Sequence, residues 1–139
     1  MANKHYNINY LEDTGRFLKS LKEYSYQPFT QINNGTIIDL GCGTGADVSN
    51  LGKLLGSQVT VIGIDHDETM LNKAESSFSD QENIKFILSE ANVIPFENET
   101  VSGLRAERLV QHIAAPENTI FEIHRVLKKG HPLVLVETD

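Results

Sequence analysis

Apolar positions along the chain alternate between short continuous runs and longer spaced stripes. The runs are Thr36–Leu40, Val59–Ile64, Ile84–Leu88, Val101–Ala106 and Leu133–Val136. They are rich in Ile, Val and Leu and bounded by polar or turn residues, as strands buried on both faces are. The fourth is the weakest, because Gly103 interrupts it. Between the runs, apolar residues recur every three or four positions: Val48, Leu51, Leu54 and Leu55, then Met70, Leu71 and Ala74, then Ile120, Phe121, Ile123, Val126 and Leu127. That period predicts helices. Gly56 stops the first, acids open the second at Asp67, and Pro116 suits the first turn of the third, which ends near Lys129-Gly130. One more stripe, Leu11, Phe17, Leu18, Leu21 and Tyr24 within Tyr10–Phe29, predicts an amphipathic N-terminal helix closed by Pro28.

Strand and helix in alternation build right-handed crossovers, and those build a parallel sheet covered on both faces. The expectation is an α/β, three-layer, Rossmann-like doubly wound sheet, mainly parallel, with five strands in the order 3-2-1-4-5. Residues 1–35 read as a helical segment covering the site, and residues 36–139 as the ligand-binding domain. A ligand would lie at the carboxyl ends of the first three strands.

Composition narrows the partners. At 139 residues the chain fits one domain. Its net charge of −7, with no basic run longer than Lys128-Lys129, argues against nucleic acid, whose binding rests on many phosphate contacts. The expected partner is a small molecule. Met1-Ala2-Asn3-Lys4-His5 does not open a signal peptide, and no apolar run reaches the ~20 residues of a membrane helix. With a lone Cys42 the chain has no internal disulfide and no cysteine cluster for a metal, so a cytoplasmic setting without a metal site is expected.

The chemistry centres on Ile37-Ile38-Asp39-Leu40-Gly41-Cys42-Gly43-Thr44-Gly45, where a strand meets three alternate glycines before a helix. Glycine can take φ > 0 and let a ligand lie on the backbone, beside the unpaired N–H groups of the helix start. Gly41, Gly43 and Ala46 also satisfy the dinucleotide pattern, and Asp65 falls about 20 residues on, where an acid accepts ribose hydroxyls. Asp39 separates the candidates. A carboxylate beside the loop repels a pyrophosphate and favours a ligand with a cationic group. S-adenosylmethionine has that inventory: a ribose, no phosphate and a sulfonium.

The glycine segment resembles the first motif of class I S-adenosylmethionine-dependent methyltransferases. Gly63-Ile64-Asp65-His66-Asp67-Glu68-Thr69-Met70-Leu71 is similar to their acidic second motif, and Ser89-Glu90-Ala91-Asn92-Val93-Ile94-Pro95-Phe96 to their third. Arg125-Val126-Leu127-Lys128-Lys129-Gly130 resembles the turn before their fifth strand. The match covers about residues 36–139, with the small-molecule type, including ubiquinone and menaquinone methyltransferases, the most similar. The resemblance implies that Asp39, Gly41, Cys42, Gly43 and Gly45 surround the methionine end of the cofactor, which leaves as S-adenosylhomocysteine. It implies that Asp65 holds the ribose, that His66 and Met70 lie near the adenine, and that Glu90 and Ala91 take the places that meet its amino group. Arg108, Leu109, Gln111 and His112 match a segment bordering the sulfonium and the acceptor.

Other readings of these residues stand beside that one. His112 can be a general base or a loop-fixing residue, Arg105, Glu107 and Arg108 can serve the site or form surface ion pairs, and Cys42 reads most simply as a buried packing residue. Thr100-Val101-Ser102 stands where an acid commonly precedes the fourth strand, and His131-Pro132 where a second glycine usually follows Gly130. Family members continue past a fifth strand with two more strands and helices. Three expectations follow: methyl transfer to a small acceptor, or else a non-catalytic cofactor-binding fragment, and a fifth strand that pairs with a second copy. An NAD-dependent oxidoreductase is the remaining alternative, which Asp39 disfavours.

Overall fold

The computed structural model describes residues 8–107 and 116–137, with side chains from residue 15 onward. Helix α1 (Ile8–Tyr26) and a 3-10 turn (Gln27–Phe29) precede β1 (Gly35–Leu40), α2 (Ala46–Leu54), β2 (Val59–Asp65), α3 (Glu68–Ser77) and β3 (Ile84–Leu88). Then come β4 (Gly103–Glu107), α4 (Pro116–Val126) and β5 (Leu133–Val136). All pairings are parallel and the order is β3-β2-β1-β4-β5, as expected from the alternation. Strand β1 is therefore flanked by β2 and β4, so the chain changes direction across the sheet there. Such switch points open a crevice at the carboxyl ends of the strands.

Side chains alternate between the two faces with the period of two that a strand imposes. Ile38, Leu40, Ile62, Ile64, Leu104 and Ala106 pack against Ile123 and Val126 of α4. Ile37, Val59 and Val61 point the other way, against Val48 and Leu51 of α2 and against Tyr26 and Phe29. Helix α3 starts where Asp67 caps it, the carboxylate accepting from the N–H groups of Thr69 and Met70. The first turn of α4 carries Pro116, whose missing N–H costs nothing there.

Two elements differ from the sequence reading. Strand β4 begins at Gly103, not Val101, because Val101 bridges to Leu127 in the chain leaving α4. In α1 three residues of the apolar stripe do not face the core: Phe17, Leu18 and Tyr24 are 66%, 51% and 76% exposed, while Leu21 is half-buried and the Leu11 side chain lies outside the described residues. Pro28 lies inside the 3-10 turn, which swings Tyr26 and Phe29 into the core, and these two do the burying.

Arg125 of α4 fixes the segment that follows β3. Its guanidinium donates to the carbonyls of Ile94 and Phe96 and to Asn98 Oδ1, and pairs with Glu122 at 2.6 Å. Glu122 in turn accepts from the Ile94 N–H at 2.9 Å.

Candidate functional site

The loop after β1 is held open by backbone geometry. Gly41, Gly43 and Gly45 have φ of 75°, 58° and 89°, the left-handed region that costs an L-residue roughly 1–2 kcal/mol. The demands at Gly45 and Gly43 differ. A Cβ on Gly45 would lie 2.8 Å from the Phe86 ring, so this glycine lets the start of α2 sit against β3; a Cβ on Gly43 would meet nothing within 4 Å, so that backbone faces open space. The N–H groups of Gly41 and Cys42 donate to the Ile64 carbonyl at 2.7 and 3.0 Å, tying the loop to β2.

Asp65 ends β2 and braces the loop. Its Oδ2 accepts from the Gly43 N–H at 2.8 Å and its Oδ1 from the Asp67 N–H at 2.9 Å. Each carboxylate oxygen still has a lone pair, so the acid can also accept from a ligand hydroxyl.

Beside the loop lies a cluster of charge on the α2 face. Asp39 and Arg105 are cross-strand neighbours in β1 and β4. Arg105, fully buried, places Nη1 3.3 Å from Asp39 Oδ1 and 3.2 Å from Asp47 Oδ2, and Nη2 2.7 Å from Glu107 Oε1. Its Nε donates to Ser25 Oγ at 3.0 Å, and its guanidinium lies 5.3 Å from the Tyr26 ring centre. The Tyr26 hydroxyl donates to Asp47. Lys22, on the last turns of α1, reaches Asp47 at 3.3 Å and Glu107 at 3.0 Å. Among the described residues three carboxylates thus share two cations, an excess of one negative charge when all three are ionised.

That excess falls on the most buried acid. Desolvation pushes the Asp39 carboxyl up to about 7; Arg105 draws it down, and Asp47 and Glu107 push it up again. Asp47 and Glu107 are held below the usual carboxylate range. Burial works to raise both, but the Tyr26 hydrogen bond and the charges of Arg105 and Lys22 at Asp47, and the hydrogen bonds from Lys22 and Arg105 at Glu107, outweigh it. Burial also raises the Cys42 thiol, with Asp39 and Asp65 adding to the effect, so the sulfur stays protonated.

These residues enclose a cleft of about 360 Å³, within the range of small-molecule sites. Asp39, Gly41, Cys42, Gly43 and Met70 of the expected set line it. Cys42 is half-buried in this wall and packs against the α2-side core, as a packing residue does. Gly45 sits beneath, against Phe86, and Asp65 stands behind the loop it braces. His66 and Glu90 are exposed beyond the cleft lining, and Ala91 packs partly into the α4-side core. Arg108, Leu109, Gln111 and His112 lie outside the described residues. Arg105 and Glu107 do not form a surface pair, since Arg105 is wholly enclosed. The sequence reading missed Lys22, Tyr26 and Asp47. Asp47 gave one signal, an acid in the first turn after the glycine loop.

A doubly wound sheet with a glycine loop, a bracing acid and an acid-lined cleft at its switch point has the form of a nucleoside-binding domain. Residues 32–139 match the methyltransferase domain family, and the chain belongs to that family. It is 32% identical over 102 residues to a demethylmenaquinone methyltransferase of Staphylococcus aureus, covering 73% of this chain and 42% of that one. A SAM-dependent methyltransferase from Aquifex aeolicus superposes with a TM-score of 0.69 at 27% identity, over 84% of this chain and 61% of that one. Geranyl diphosphate C-methyltransferase from Streptomyces coelicolor, solved with Mg2+, geranyl diphosphate and S-adenosyl-L-homocysteine, shares the fold. Its TM-score is 0.78 at 15% identity, over 96% of this chain and 52% of that one. The chain spans less than half the length of the curated relatives it matches. Among the described residues no helix is long and apolar enough to cross a membrane.

Proposed function

We propose that this chain binds S-adenosylmethionine and serves methyl transfer to a small-molecule acceptor. The observation that carries the reading is the excess negative charge beside an open glycine backbone. A cationic, phosphate-free nucleoside gains from that charge, whereas a pyrophosphate would be repelled by it. When bound, the cofactor supplies a methyl group made electrophilic by its sulfonium.

The chain's own residues bind and orient. Gly43 offers a backbone that a ligand can touch, and Asp47 and Glu107, with the more deeply buried Asp39 behind them, supply the acidic wall for the methionine end. Asp65 accepts ribose hydroxyls with the lone pairs that Gly43 and Asp67 leave free. Met70, 40% exposed, gives an apolar wall for the adenine, with His66 and the Glu90-Ala91 pair completing that end. Holding nucleophile and methyl in line supplies most of what such a reaction needs, so no general base is required; His112 is the candidate where an acceptor must lose a proton. The last turns of α1, which bring Lys22, Ser25 and Tyr26 to the cluster, act as the cover of the methionine end.

A small acceptor is supported by the names of the relatives, one acting on demethylmenaquinone and one on geranyl diphosphate. The net charge of −7 speaks against nucleic acid, and a lone cysteine with no internal disulfide suits a cytoplasmic setting. Self-association through β5 belongs to the same proposal. Leu133 and Leu135 are 42% and 40% exposed on an edge strand, and a strictly monomeric species in light scattering would refute it.

Calorimetric titration with S-adenosylmethionine, S-adenosylhomocysteine and NAD tests the cofactor. Binding of the first two is expected, and preference for NAD would overturn the assignment. A second reading, a cofactor-binding part without transfer activity of its own, is favoured by the share of the relatives' length that this chain spans. A methyl-transfer assay across small acceptors, beside a chain of the relatives' full length, separates the two.

A further inference from the structure

We infer that Lys22 is a built-in counterion occupying the cation seat of the cleft, and that a ligand's ammonium binds by displacing it from Asp47 and Glu107. The inference rests on the cofactor reading proposed above and concerns what sets the cleft's affinity.

The two cations of the cluster are not equivalent. Arg105 is wholly enclosed and engaged at Nε, Nη1 and Nη2, so it cannot leave without stranding Asp39. Lys22 has a side chain 46% exposed on a long flexible stem, and its contacts are ion pairs of the exposed kind, individually weak and readily exchanged. Both its partners line the cleft, as does Lys22 itself. Its ammonium therefore already shows what chemistry the position between Asp47 and Glu107 accepts.

Helix α1 makes displacement inexpensive. Leu18, one turn before Lys22 on the same side of the helix, is exposed, as are Phe17 and Tyr24. The helix is anchored at its C-terminal end by Ser25, Tyr26 and the 3-10 turn that buries Phe29. Lys22 can swing outward without disturbing that anchor. The apparent affinity for a cationic ligand is thus lowered by an internal competitor, and the chain free of ligand keeps Asp47 and Glu107 paired.

The sign of one substitution decides. Lys22→Gln should bind S-adenosylmethionine roughly three- to tenfold more tightly than the unaltered chain, the fold-change of losing two exposed ion pairs. Affinity for 5′-methylthioadenosine, which lacks the amino-acid end, should not change, and Lys22→Arg should restore the original value. Weaker binding of S-adenosylmethionine by Lys22→Gln, with methylthioadenosine unaffected, would show Lys22 holding the ligand carboxylate and overturn the inference. Equal losses for both ligands, or no change for either, would overturn it too. An unaltered chain that binds neither ligand refutes the cofactor assignment and this inference together, whereas binding of both without a Lys22 effect refutes this inference alone.

Discussion

The two faces of the sheet solve different problems with the same strands. Toward α4, Ile38, Leu40, Leu104 and Ala106 give an unbroken apolar layer, sealed by Ile123 and Val126. Toward α1 and α2 the layer is apolar only at the amino ends of the strands. From Ile37 to Asp39 on β1, and from Gly103 to Arg105 on β4, one step of two residues turns hydrocarbon into an ion pair. A buried ion pair of this kind stabilises little compared with a hydrocarbon pair of the same size, yet losing one partner is costly. The first face holds the fold together, and the second gives up some of that to place charge at the cleft.

The contrast can be broken most strongly at Arg105. Replacing it with Met strands Asp39 and should cost about 3–5 kcal/mol in denaturant unfolding. A loss under ~1 kcal/mol would show the cluster to be loosely solvated and the contrast illusory. Next is Gly45→Ala, which combines the left-handed backbone with the Phe86 contact and should cost about 2–4 kcal/mol. Gly43→Ala, facing open space, should cost only the backbone part, about 1–2 kcal/mol, while weakening S-adenosylmethionine binding measured by calorimetry.

On the charged face, pH acts with opposite sign on stability and on binding. Asp39, raised to about 7 in the folded chain, holds its proton there more firmly than when unfolded. The folded state binds more protons between about pH 4 and 7, so the Asp39 contribution to stability is complete below that window and is lost as pH rises through it. Thermal melts from about pH 5 to about 8 should show this fall, and Asp39→Asn should flatten it. Cofactor binding should run the opposite way and tighten as pH rises through about 7, because a cationic ligand favours the ionised acid. The smallest effect is expected on the other face, where Ile123→Val should cost about 1 kcal/mol and leave both pH profiles unchanged.

Most of the fold is legible in the sequence because each β-branched run and each helical stripe repeats the same message. The glycine loop is equally legible, since three glycines at alternate positions have few other uses. Arg105 is not. A charge near a strand end reads as surface, and only the register that sets it opposite Asp39 reveals a buried pair. Asp47 reads as a helix-start charge, which it also is, and nothing local tells that it shares Arg105 and Lys22. The stripe of α1 misleads for a related reason. Spacing marks a helix, but whether a partner covers its apolar face depends on where Pro28 turns the chain.

Arg125 has a consequence for how freely the chain can change. Its donors address the carbonyls of Ile94 and Phe96, which every amino acid carries, and Glu122 takes the Ile94 N–H. The path of this segment is dictated from α4, not by the identities of Pro95 and Glu97, both exposed. Substitutions at those two positions can therefore accumulate while the backbone route stays fixed, as long as Arg125 and Glu122 remain.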